Sequence, residues 1–406
     1  MMKQLFTTLT LVAALAIGTA EQSDASAITW FEELPVEIHG FFSQGYLDSN
    51  GNNYFADTEG GTGDFREIGL NVSKSFTPNF RVGAQVFARD LADIGNNEVV
   101  LDWAVADYRI HDAIGIRLGK VKMPLGFYNQ TRDVDALRTQ ILLPQSVYPE
   151  SLRDTLSALV GGGLYGNIDT GLAGTLSYEL QAGRFDVPDE SGVAKLIEAG
   201  GNFVTTGYDE GDSYVAAIHW APPLEGVRVG WAYFDGELLV ETETLEGNRY
   251  GLPAGLASEV DGKSLVGRWY SAEYQADKFS LYAEFTSQDR DSQVPGQPLG
   301  QTRLEGWYLG GEYQLLEKLV GAVTYSEYYN NRNDKDGNRY ADSETPAHRA
   351  WQKEWVLSLK YEATKHLIFK IEEHIIDGTA SLFSDDNDTA TDRYWDMLAV
   401  KATVIF

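Results

Sequence analysis

Cysteine is absent from the 406 residues, so no disulfide holds any part of the chain. The six histidines are dispersed, with no H-x-x-x-H or comparable pair, and no nucleophile, base and orienting group stand at a recognisable spacing. That argues against catalytic residues, a metal site or a bound cofactor. Lysine and arginine number 32 against 60 acids, a formal charge of -28, and a chain of this sign is not built for a polyanionic nucleic acid. Beyond the first residues no apolar run approaches the roughly 18 needed for a membrane-spanning helix. Proline is sparse at 12. What remains possible in a membrane is a sheet.

The one apolar run, Leu5 to Ile17, follows Lys3 and precedes small residues. This is the layout of a secretory signal peptide, expected over residues 1–27 with cleavage after Ala20 or Ala27. The rest is rich in β-formers, with 22 Tyr, 18 Phe, 9 Trp and 41 Gly. No linker divides residues 28–406, which read as a single domain.

Apolar and polar residues alternate in about sixteen segments, the mark of strands with two unlike faces. They run over residues 37–47, 64–74, 79–90, 98–110, 115–121, 157–167, 171–184, 212–221, 225–236, 264–275, 278–287, 303–315, 318–328, 351–363, 366–377 and 392–406. In the third, Phe80, Val82, Ala84, Val86 and Ala88 share one face, and Arg81, Gly83, Gln85, Phe87 and Arg89 the other. One face suits lipid and the other water. Short turns alternate with longer polar gaps, and acidic runs such as Asp209, Glu210 and Asp212, or Asp385, Asp386 and Asp388, read as solvated loops. Those loops could also hold divalent ions among lipopolysaccharide headgroups. An even number of strands with loops of unequal length predicts an all-β, closed antiparallel transmembrane β-barrel, since lipid tolerates no open sheet edge. A secreted soluble sheet shows the same alternation, with shorter strands and turns alike at both ends.

The alternation stops at 122–156. That stretch carries Pro124, Pro144 and Pro149, which cannot serve a central strand, yet is too apolar at Leu142, Leu143, Val147 and Tyr148 for disorder. It is expected to fold into the barrel and constrict the pore. Candidate constriction and selectivity residues are Arg81, Arg89, Arg117, Lys120 and Lys122 on the wall, with Arg132, Asp133, Asp135, Arg138 and Arg153 in the insert. A basic wall facing a mixed loop sets up a transverse field that orients polar solutes. Alternatively the insert's charges pair with one another to fold it. The face assignment of Arg117 against Lys120 is ambiguous by one residue, since a slip of one exchanges lumen for lipid.

The nine residues Leu118 to Gly126, LGKVKMPLG, resemble the G-x-x-K-x-P-x-G stretch of the phosphate-selective porin O/P superfamily of Gram-negative bacteria. The Val404-Ile405-Phe406 end is similar to the aromatic terminus of outer-membrane proteins. The resemblance implies a sixteen-stranded porin in the cell outer membrane, a homotrimer, with the inward-folded third loop as constriction. The chain departs from phosphate-selective members in lacking an unmixed run of Arg or Lys along its loops. Its expected partners are outer-membrane lipid, lipopolysaccharide and small hydrophilic solutes that diffuse passively. The rivals are a channel specific for phosphate, dicarboxylate or sugar, and an outer-membrane enzyme or adhesin barrel. Two motifs are weak: Gly161 to Gly166 spells G-x-G-x-x-G without a following helix and suits close strand packing, and the Asp334 to Asn338 stretch fails the calcium-loop pattern.

Overall fold

The computed structural model describes residues 36–55, 57–92, 94–293, 300–339, 345–387 and 391–406. The expected signal peptide, and Asp388 of the second acidic run, lie outside the described residues. Sixteen antiparallel strands close into a barrel, each bonded to its sequence neighbours and the last to the first. In order they are β1 (Val36–Ser49), β2 (Phe65–Thr77), β3 (Phe80–Leu91), β4 (Val99–His111), β5 (Ile114–Lys122), β6 (Ala158–Asp169), β7 (Thr175–Arg184) and β8 (Phe203–Ala221). There follow β9 (Val227–Thr244), β10 (Ala257–Gln275), β11 (Phe279–Gln293), β12 (Gly300–Leu316), β13 (Leu319–Tyr329), β14 (Trp351–Thr364), β15 (Leu367–Gly378) and β16 (Tyr394–Ile405). Closure sets Phe42 opposite Val404 and Ser49 opposite Met397. Among the described residues no strand is left with a bare edge, which is what removes the soluble-sandwich alternative.

The period-2 pattern sets the faces. Trp355, Leu357, Leu359 and Tyr361 of β14, with Phe369 and Ile371 of β15, are exposed on the outer wall. Val82 and Val86 are exposed on β3 while Gln85, Phe87 and Arg89 are buried inside, as the alternation requires. Gly161 of the G-x-G-x-x-G stretch lies in β6, where an added Cβ would stand 2.1 Å from the Ala182 carbonyl oxygen. Close strand approach accounts for that glycine run.

Two expectations need correction. Asp209, Glu210 and Asp212 are not in a loop: β8 begins at Phe203 and carries all three. Likewise β9 continues to Thr244, β10 starts at Ala257 and β11 reaches Gln293. These hairpins stand beyond the apolar belt, where the outer face is polar and charged, as at Glu237, Glu241 and Glu243 of β9, so the outward apolar row that marks a membrane strand is lost. The second correction concerns the interior, which is not uniformly wet. Val215, Ala217, Ala232, Phe234, Leu238, Val240 and Trp269, on the inner faces of β8–β10, are buried in an apolar cluster with Leu143, Val147, Tyr148, Leu152 and Leu156. Another apolar cluster joins Leu47, Phe65, Ile94, Ile141, Leu142, Phe383, Trp395 and Met397.

Candidate functional site

The segment between β5 and β6 holds three 3-10 turns, Asn129–Thr131, Asp135–Leu137 and Glu150–Leu152, and the short helix α1 (Arg153–Ser157). Its prolines sit where no ladder bond is needed: the Pro144 carbonyl accepts from Val147 N (3.0 Å) and Tyr148 N (2.9 Å), and Pro149 is extended ahead of its turn. The two ends are tied by one side chain, Asn129, whose amide nitrogen donates to Met123 O (3.0 Å) and Leu156 O (2.6 Å). Arg138 folds the middle by donating to the carbonyls of Arg132, Gln140 (3.1 Å) and Ile141 (3.0 Å). Side chains thus supply the partners that a regular ladder would have given this backbone.

The segment is bonded to inner-face residues on both halves of the barrel. On the near half, Arg89 of β3 donates to Glu150 Oε2 (2.6 Å) and Asp154 Oδ2 (3.3 Å). Arg153 reaches Asp102 of β4 (3.0 Å) and Asp133 (2.7 Å), its guanidinium over the Phe87 ring. Lys122 pairs with Asp133 and with Asp102 (3.1 Å), and Arg132 with Glu150 (2.8 Å). Four cations therefore meet four carboxylates. The cluster is neutral, and Arg89 is only 4% exposed.

On the far half, Glu284 of β11 accepts from Phe127 N (2.9 Å) and the Tyr148 hydroxyl (2.5 Å). Thr139 donates to Glu312 of β12 (2.7 Å), and Leu142 N to Glu372 of β15 (3.2 Å). Asp135 receives Lys370 of β15 (2.9 Å), and Lys401 (3.3 Å) and Thr403 (2.8 Å) of β16, with Arg138 at 3.7 Å. Lys360 of β14 donates to Ala136 O (3.1 Å). Gly306 lets the segment lie against β12, since a Cβ there would stand 1.8 Å from Ser146 O.

These surroundings fix the charges of the insert. Burial alone would raise the Glu150 carboxyl, but Arg132, Arg89 and Arg153 outweigh it and draw it down to about 2. Asp135 is held well below the usual carboxylate range in the same way, burial being overcome by Lys401, Lys370 and Arg138. Asp133 also lies well below, with Arg153 and Lys122 overcoming burial. All three are carboxylates at neutral pH.

The ten sequence candidates thus fall into separate groups. Arg89, Lys122, Arg132, Asp133 and Arg153 join the neutral cluster, while Asp135 and Arg138 belong to the far-side contact. Arg117 faces the interior, bonded to Asp107 (2.8 Å) and Glu179 (3.1 Å) and stacked on Tyr165. Lys120 instead meets Asp186 (2.8 Å) beyond the end of β7. Arg81 lies toward the short-turn end, donating to Ser73 (2.7 Å), with its side chain 57% exposed. The basic wall is not bare, because each of these cations has a carboxylate within 4.0 Å, Arg81 meeting Glu37 at 3.6 Å. Lys370, Glu372, His374 and Lys401 were missed by the sequence reading. The signal was present in Phe369-Lys370-Ile371-Glu372, where charged residues alternate with outward apolar ones.

Toward the short-turn end the interior is open. A cavity of about 470 Å³ is lined by Arg81, Trp103, Asp107, Arg117, Gln130 and Val134 among others. One of about 240 Å³ adjoins Arg117, Tyr165, Glu179 and His219.

A closed sixteen-strand barrel with long connections at one end is the architecture of porin-type channels. Solved structures of that architecture overlay this chain. The outer membrane channel DcaP of Acinetobacter baumannii does so with a TM-score of 0.57 at 11% identity, over 92% of this chain and 97% of that one. OprB of Pseudomonas putida gives 0.58 at 11% over 94% and 96%, and an anion-selective porin from Comamonas acidovorans 0.55 at 12% over 92% and 100%. At such identities the likeness is one of fold. No protein-family model and no curated protein sequence matches the chain.

Proposed function

We propose that the protein is a non-enzymatic porin of the cell outer membrane, passing small hydrophilic solutes and ions passively. The observation that carries this reading is the closed barrel with an apolar outer belt, spanned internally by a segment bonded to both halves of the wall. In this reading residues 1–27 direct export, 28–406 form the barrel, 122–156 are the inward-folded third loop, and three copies assemble in lipid and lipopolysaccharide. The short turns face the periplasm. The vestibule lined by Arg81 and Arg117 opens on that side, and its fixed charges act on passing ions.

The two apolar clusters at the long-loop half support a second reading, a channel narrowed for a particular solute rather than a general sieve. The resemblance to phosphate-selective porins gains little from the geometry, since the cations near the insert are neutralised by carboxylates. Planar-bilayer recording tests the proposal. Ohmic steps support a general pore, and block by low concentrations of one solute supports a specific channel. Absence of any steps from folded protein would sink both and leave an enzyme or adhesin barrel.

A further inference from the structure

An interior cavity of about 420 Å³ lies toward the long-loop end, between β9–β11 on one side and α1 with the helix α2 (Gly192–Glu198) on the other. Its walls are apolar: Phe185, Phe234, Leu238, Leu265 and Trp269 from the barrel side, with Leu156 and Ile197 opposite. Well-packed protein interiors leave few voids larger than a water molecule, and a dry apolar cavity of only ~150 Å³ already takes up benzene. A space of this size falls in the range of small-molecule sites.

Three charged residues line it, Asp289, Arg290 and Asp291. Arg290 of β11 falls on the inner face with Tyr282, Glu284, Thr286 and Gln288. Its Nη2 donates to Gln288 Oε1 (2.9 Å), and among the described residues no carboxylate stands within 4.0 Å of the guanidinium. The carboxylates next to it in sequence are committed elsewhere, Asp289 to Arg332 (2.6 Å) and Asp291 to Arg303 (2.8 Å). Every other inward arginine described above has a carboxylate within 4.0 Å, Arg81 included, which meets Glu37 at 3.6 Å. A guanidinium with unused donors beside an apolar wall is unfavourable, and a bidentate carboxylate is the group that offsets it best.

We infer that this cavity binds a small amphiphilic anion, a carboxylate on an aryl or medium-length alkyl body, with the carboxylate on Arg290 and the body against Trp269, Phe234 and Leu238. The assignment needs only the folded barrel and goes beyond the channel reading. Polar solutes such as sugars or inorganic phosphate would leave the apolar wall unsatisfied.

Isothermal titration calorimetry on the refolded full barrel in a neutral detergent tests it, with 4-phenylbutyrate, its uncharged amide, and acetate. The expected result is saturable binding of 4-phenylbutyrate at least tenfold tighter than of the amide, and none of acetate. Arg290→Gln should abolish the preference for the carboxylate while leaving amide binding unchanged. Leu238→Trp, which fills the cavity and keeps the arginine, should abolish binding of both. Equal binding of carboxylate and amide by the parent, unchanged affinity in Arg290→Gln, or heat identical to that of empty micelles would each overturn the assignment. Because the measurement reads binding without conductance, it can fail while the porin proposal stands, and the reverse.

Discussion

Replacing Glu150 by alanine should undock the insert without unfolding the barrel. Glu150 holds Arg89 at 2.6 Å and Arg132 at 2.8 Å, and both guanidinium groups are buried. Without it Arg89 retains Asp154 at 3.3 Å and the carbonyl of residue 150 at 3.4 Å, whereas among the described residues the Arg132 guanidinium keeps only the Asn129 side chain at 3.4 Å. Breaking a buried pair by removing one partner costs about 3–5 kcal/mol. The carboxyl's displacement from its ordinary 4.5 to about 2 gives a similar figure, about 3 kcal/mol. Either value lowers the ratio of docked to undocked insert by a factor of roughly 100 or more. Single-channel recording should show larger or noisier steps, and trypsin should cut faster after Arg132 or Arg138, while the sixteen-strand ladder survives heating in detergent as before. The same logic sets a pH dependence. Because the docked carboxyl is depressed, its contribution is complete above about pH 4.5 and is lost as pH falls toward 2. The parent should therefore behave like the variant only in strong acid. Identical conductance, noise and cleavage rates in folded Glu150→Ala would refute the reasoning.

Arg81→Glu should shift ion preference toward cations, read as a changed reversal potential in a salt gradient. Arg89→Glu should instead damage insert docking, because that guanidinium is enclosed by carboxylates. Gly306→Ala places a methyl where Ser146 O now lies, so the insert should move off β12 and proteolysis within 139–150 should accelerate; an unchanged digestion pattern would remove the close approach. Leu357→Arg, on the outer wall among Trp355 and Leu359, should cost about 2–4 kcal/mol of stability when refolded into lipid vesicles, and a cost near zero would place that row outside the hydrocarbon.

Strand positions were readable because an apolar belt on one face forces a period of two, and the inner placement of Arg81 and Arg89 followed from it. The ends of β8–β11 were not, since beyond the belt the outer face carries polar and charged residues and Asp209 or Asp212 looks like loop. The filled interior was also out of reach. Phe234, Leu238 and Trp269 are inward apolar residues whose partners, Leu143 to Leu156, lie 78 to 126 positions away. The same distance hid the pairings of the insert: nothing near Asp135 in sequence points to Lys370, Lys401 or Thr403. On the far wall the alternation of Lys370, Glu372 and His374 with Ile371 and Ile375 signalled inward charge, but not what it meets.

The grip on Asp135 also dictates an order of assembly. Its partners Lys370, Lys401 and Thr403 belong to the final two strands, so these bonds cannot form until β15 and β16 have reached the insert. The turn at Asp135–Leu137 is synthesised in the first half of the chain, yet it gains these partners only after the last two strands have been made.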